Sequence, residues 1–126
     1  MQLSKNFTLL ELTKSQTAER KGIDNTPNAD HIYNLTALAE NILQPVRDEW
    51  GSFIVSSGYR SVALCEAIGS KSTSQHAKGE AADFEVAGVD NYKLASWIEA
   101  NLLFDQLILE CYTGGNTGWI HCSYVP

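Results

Sequence analysis

The chain is short of several things, and each shortage narrows the reading. No apolar run in its 126 residues approaches the ~20 needed to span a bilayer, so membrane insertion is not expected. Cations are few: Lys and Arg number 9 against 15 Asp and Glu, for a net charge of −6. Nucleic-acid binding draws on clustered Lys and Arg that displace counterions, so no nucleic-acid partner is expected. The same charge gives no pull toward anionic membranes or wall polymers. The opening stretch MQLSKNFTLLELTKS has neither a continuous apolar core nor a small-residue cleavage site, so no secretory signal is read there. Synthesis in the cytoplasm is the expectation, and work outside it needs another route of release. There are 3 cysteines, Cys65, Cys111 and Cys122, and no C-x-x-C pair. An odd number cannot all pair within the chain, so the expectation is free, mostly buried thiols. Repeats, low-complexity tracts and linkers are absent. The length suits one domain with one core, residues 1–126, and a monomer is the default.

What is present reads as alternating helices and strands. Phe7, Leu9, Leu10 and Leu12 suit a short helical turn laid on the domain. Thr26-Pro27 looks like a helix start, Thr as N-cap and Pro at the first position. Ile32, Leu35, Leu38, Ala39, Ile42, Leu43, Val46 and Trp50 follow at helical spacing, giving one long helix over about 28–49. Pro45 lies inside it and should bend it or loosen a turn. Residues 52–57 read as a buried strand. Ser61 can cap a short helix, Ala81 to Val86 suit a strand, and Asp90 can cap a further helix. Asp105–Tyr112 and Trp119–Tyr124 suit a closing hairpin centred on Gly114-Gly115. The order implies an α+β fold, with helices packed on a small, mostly antiparallel sheet.

Histidines are scarce as well. There are 3, and His31 lies off the apolar stripe of its helix, so it reads as a surface residue. His121 lies in GWIHCSY, where Trp119, His121 and Ser123 share one strand face and Ile120, Cys122 and Tyr124 the other. A lone strand histidine is ordinarily a core residue. The stretch SQHAKGEAAD changes its weight, because it offers His76 from a loop and Asp83 from the start of a strand. A catalytic zinc takes three protein ligands and keeps one position open, and imidazole and carboxylate both suit it. Gly79 lets the loop turn tightly, and Ala81 and Ala82 leave room for an ion. The plain alternative is a surface loop with Asp83 paired to a cation such as Lys78.

Ser74-x-His76-x-x-Gly79-x-Ala81-x-Asp83 resembles the SxHxxGxAxD signature of the D-Ala-D-Ala metallopeptidase family of zinc peptidases. That family includes D-Ala-D-Ala carboxypeptidases, the vancomycin-resistance dipeptidases and several phage endolysins. Ser57-Gly58-Tyr59-Arg60-Ser61 resembles the family's SGYRS segment, and Trp119-Ile120-His121 its terminal W-[VI]-H. The likeness runs from about Phe7 to Tyr124 and is nearest to the short single-domain members. It implies one zinc ion per chain on His76, Asp83 and His121. It also implies that Arg60 reaches into the site to hold a substrate carboxylate or the oxygen of the attacked carbonyl. Ser74 and Trp119 are the further candidates for substrate contact.

The chain departs from the pattern at one place. Several members carry an acidic residue three before the last histidine, and here that position is Gly118. A hairpin centred on Gly114-Gly115 sets Glu110 opposite Trp119 and Ile108 opposite His121. Glu110 and His121 are then diagonal neighbours on one face, so Glu110 is the expected general base. Asp105 and Glu85 are weaker candidates.

The expected activity is zinc-dependent hydrolysis of peptide bonds in bacterial peptidoglycan stem peptides or cross-links, of the endolysin or carboxypeptidase kind. The resemblance points to a bond at D-alanine or another D-centre, and to action at the cell wall after holin-type release or from a virion. The alternative from another class is a non-enzymatic module with a structural zinc. A thiol or serine hydrolase using Cys122 or Ser123 is disfavoured; Cys122, the direct neighbour of His121 along the strand, points to the opposite face and cannot readily pair with it.

Overall fold

The computed structural model describes residues 1–126. Three short or moderate helices open the chain: α1 (Leu9–Thr13), α2 (Gln16–Lys21) and α3 (Ala29–Leu38). A π-helical segment (Ala39–Leu43) runs straight into α4 (Gln44–Trp50). Then come β1 (Ile54–Ser57), α5 (Val62–Ala67), a 3-10 turn (Gln75–Lys78) and β2 (Ala81–Glu85). The chain closes with α6 (Asn91–Asn101), β3 (Leu107–Glu110) and β4 (Trp119–Ser123). The architecture is α+β, with one antiparallel four-stranded sheet in the order β1-β2-β4-β3. No helix is long and apolar enough to cross a membrane.

The sheet has two different faces, and strand alternation explains why. Ala82 and Phe84 of β2 and Ile120 and Cys122 of β4 point to one side, against Leu35, Leu38, Ile42, Leu43 and Val46 from the long helical stretch and Leu94 and Ile98 of α6. Every one of those residues is buried, so this layer is the core. Asp83, Trp119 and His121 are half-buried and point to the other side. A rigid apolar layer therefore backs the polar face from behind.

The long helix starts differently from the sequence expectation. Its N-cap is Asn28, not Thr26: the Asn28 side chain accepts from His31 N–H, and the His31 ring accepts from Asn28 N–H at 3.2 Å. Thr26 N–H is instead taken by Asp24 at 2.9 Å. At Pro45 the second of the two expected outcomes holds, a loosened turn. The proline's missing N–H and its ring disturb the preceding turn, and the chain answers with a π segment in which Gln44 N–H reaches back five residues to the Ala39 carbonyl. The helical stretch continues through the proline without interruption, from Ala29 to Trp50.

Three other expectations are corrected. Residues 52–57 do not form a buried strand: β1 covers only Ile54–Ser57 and lies at the edge of the sheet, with Ile54 84% exposed. His31 is not a plain surface residue, since it is half-buried with its ring 4.8 Å from that of Tyr59. The cysteines are free and mostly buried as expected, Cys65 and Cys122 inside and Cys111 exposed, but Cys111 stands at φ 52°, and that left-handed residue ends β3 at Glu110 rather than at Tyr112.

Candidate metal centre

The site forms where a turn, two strands and a loop converge. Asp83 of β2 and His121 of β4 are directly paired across adjacent strands, so their side chains rise side by side from the polar face. His121 Nδ1 lies 2.8 Å from Asp83 Oδ1. His76 arrives from the 3-10 turn before β2. Ser74 caps that turn, its hydroxyl accepting from His76 N–H at 3.2 Å. Gly79 closes the turn at φ 76°, and a Cβ there would sit 2.7 Å from the His31 carbonyl oxygen. Glycine is therefore required both by the backbone angle and by the space.

The orientation of His76 is fixed from behind. Its Nδ1 is 2.7 Å from the Gly58 carbonyl oxygen, which can only accept, so Nδ1 carries the proton. Nε2 then presents its lone pair toward Asp83 Oδ1 at 3.3 Å. That nitrogen is buried and has no hydrogen-bond partner. A buried lone pair aimed at a carboxylate oxygen is unfavourable unless a cation lies between them. The ligand atoms of His76, Asp83 and His121 all lie within 4.8 Å of one another. Two imidazoles and a carboxylate are a donor set that suits zinc, and this geometry fits such an ion.

Electrostatics agree with the geometry. Burial alone would push the Asp83 carboxyl up, but the contacts around it, led by the hydrogen bond from His121 Nδ1, outweigh burial and hold it well below the usual carboxylate range. Asp83 thus stays an anion, the form that ligates a metal. Lys78 is not its partner. The cation beside it is Arg60, with Nη2 3.8 Å from Asp83 Oδ2 and Nη1 3.4 Å from the Ser70 hydroxyl. Arg60 Nε is buried without a partner. The Arg60 backbone N–H donates to the His76 carbonyl at 3.0 Å, so the Gly58–Arg60 loop and the His76 turn are bound together twice.

The β3–β4 register sets Glu110 on the sheet face that carries His121. Ile108 pairs with His121 and Glu110 with Trp119, which makes Glu110 and His121 diagonal on one face. Gly118 explains the departure from the family pattern. It stands at φ 67°, and a Cβ there would overlap the Glu110 carbonyl oxygen and come within 2.9 Å of the Cys111 carbonyl. No acidic side chain fits at 118. Asp105 is elsewhere, accepting from Gln75 Nε2 at 2.8 Å, and Glu85 is exposed at the end of β2.

One positioning residue carries no signal in the sequence. Asn25 donates to the Thr13 and Tyr59 carbonyls at 2.8 and 3.1 Å and accepts from Ser61 N–H at 2.7 Å. It ties the segment after α2 to the loop that carries Arg60. A lone Asn in a polar stretch looks like any turn residue until those partners are seen.

No curated protein matches the chain. The sequence model of one family, described as Peptidase M15, matches residues 5–123, nearly the whole chain, and the protein belongs to this family of zinc peptidases.

Proposed function

We propose that the protein hydrolyses peptide bonds in bacterial peptidoglycan, in stem peptides or their cross-links, at a D-alanine or comparable D-centre. The observation that carries this reading is the buried, unpartnered Nε2 of His76 facing the Asp83–His121 pair. His76, Asp83 and His121 would hold one zinc ion per chain. A zinc ion held there would supply Lewis-acid chemistry, polarising a carbonyl and making water a competent nucleophile near neutral pH.

The remaining work falls to the chain's own groups. Glu110, diagonal to His121, takes the proton from the attacking water and passes it to the leaving amine as the C–N bond breaks. Arg60 presents its fork beside Asp83, where it steadies the peptide carboxylate or the oxygen that gains charge. Ser74 shapes the His76 turn through its cap, and Trp119, next to Glu110 across the hairpin, offers a half-buried aromatic wall to substrate. The place of action is the cell wall.

The test is a zinc-loaded preparation acting on a synthetic pentapeptide ending in D-Ala-D-Ala, beside Glu110→Gln. Expected is release of D-alanine or a dipeptide by the native protein, a rate lower by about 10²-fold or more in the variant, and one zinc retained in both. Cleavage by Glu110→Gln at the native rate would remove Glu110 from its role. No cleavage of any wall peptide, with zinc bound, would favour a binding module in which the ion is structural.

A further inference from the structure

A cleft of about 640 Å³ opens beside the metal centre, and of the residues given a role above only Arg60 lines it. Its lining includes all four residues of β1, Ile54 to Ser57, together with Arg60 at the end nearest Asp83. Successive strand residues point to opposite faces, so a cavity touched by four in a row lies along the strand's edge. β1 is the outermost strand on that side of the sheet. Its backbone makes no hydrogen bond outside the β1–β2 ladder. An unpaired edge facing a cleft is a template for one more extended strand.

The other lining is basic although the protein as a whole is acidic. Lys14 and Arg20, from the α1–α2 segment, line the cleft and are exposed. Neither has a carboxylate within 4.0 Å, because every ion pair of the molecule is at Asp83. The one acidic lining residue, Glu11, is tied back: its Oε1 accepts from Thr8 N–H at 3.2 Å and from the Thr8 hydroxyl at 3.1 Å. With Arg60, three guanidinium or ammonium groups surround a channel whose only carboxylate is already engaged.

We propose that this cleft binds the substrate peptide upstream of the bond that is cut. The peptide lies extended along the free edge of β1, and a free carboxylate on it meets Lys14 and Arg20. The strand spans about 10 Å from Ile54 to Ser57 at ~3.3 Å per residue, which sets the reach at about three peptide residues from Arg60. A wall stem peptide, with the α-carboxylate of its γ-linked D-glutamate a few residues before the terminal D-alanines, has that chemistry. The inference rests on the peptidase reading for the identity of the peptide, and on the cleft alone for the carboxylate.

The probes are L-Ala-γ-D-Glu-L-Lys-D-Ala-D-Ala and the same peptide with the D-glutamate α-carboxylate amidated. Each is titrated calorimetrically into zinc-loaded E110Q, and into E110Q carrying K14Q and R20Q. Two solvent-facing ion pairs are worth about fivefold in affinity. E110Q is expected to bind the acid about that much more tightly than the amide, and the two added substitutions should bring that ratio to near one. The backbone amide signals of residues 54–57 should move on binding in the E110Q spectra. An acid-to-amide ratio that K14Q and R20Q leave unchanged, signals moving only at the metal face, or no binding of either peptide would each overturn the cleft assignment. Hydrolysis is scored separately. A native protein that binds with this preference but cuts nothing sinks the peptidase reading and leaves the cleft. A native protein that cuts both peptides with a ratio insensitive to K14Q and R20Q does the reverse.

Discussion

At the scale of single residues, Arg60 and Cys122 show how burial assigns different tasks. Arg60 sits against Asp83 and keeps its Nε buried without a partner, and in the proposed reaction its guanidinium would meet the substrate. Its planar fork matters here, because a lysine offers a point charge with no second donor at fixed geometry. Arg60→Lys is predicted to lower kcat/KM by about tenfold or more while zinc content stays at one per chain. Metal analysis and steady-state kinetics on the same preparation check it. Cys122 is chemically quiet for the opposite reason. Burial pushes its thiol up from 9.0 to about 12. A thiol that keeps its proton longer in the folded state contributes nothing below pH 9, and folding weakens as pH rises from there toward about 12. The slope is about 1.4 kcal/mol per pH unit. Cys122→Ala is predicted to flatten that alkaline loss, which urea melts over the range would show as a smaller change in stability.

At the scale of elements, the hairpin decides whether Glu110 can reach the site. Glu110 paired with Trp119 is the register expected from a turn centred on Gly114-Gly115. It was legible because a turn centred on Gly114-Gly115 fixes which residues face each other, while alternation only sets which face each side chain takes. Gly118 was legible only as a missing acid. Its reason, a left-handed backbone pressed against the Glu110 carbonyl, needs the fold. Gly118→Ala is predicted to cost about 3 kcal/mol, from the φ penalty and the overlap together, and to lower activity further than stability alone explains. A melting curve and a rate at a temperature where both proteins are folded separate the two effects. The π segment was legible only as one of two outcomes, a bend or a loosened turn. Pro45 announces a disturbance, but whether it becomes a kink or a wider turn depends on how Ile42, Leu43 and Val46 must face the core. The start at Asn28 was missed because Thr26-Pro27 carries the stronger local signal. Asp24 claims Thr26 N–H, and the cap moves two residues on.

At the scale of the molecule, the sheet acts as a partition. Phe84, Ile120 and Cys122 hold its inner face on the helices, while Asp83 and His121, one residue away along the same strands, are presented outward beside the His76 turn. The three donors were legible as residue types at suggestive spacing. Their convergence was implied by the family resemblance alone; its physical cause was not legible, because it depends on the β2–β4 pairing between segments 38 residues apart and on the Gly58 carbonyl that sets the His76 tautomer. The edge position of β1 escaped the sequence for a similar reason: VSS looks the same whether or not a neighbour lies on each side, and only the strand order β1-β2-β4-β3 settles it. The free edge then lies beside the centre, so one face of the molecule carries both. The most direct test of zinc peptidase action on the wall is mass spectrometry of purified peptidoglycan digested with zinc-loaded protein, beside an identical digest with chelator. New peptide fragments in the zinc digest alone, with masses that place the cut at a D-alanine or equivalent D-centre, are the predicted result. The same fragments with chelator present, or none from several wall types while zinc remains bound at one per chain, would contradict it.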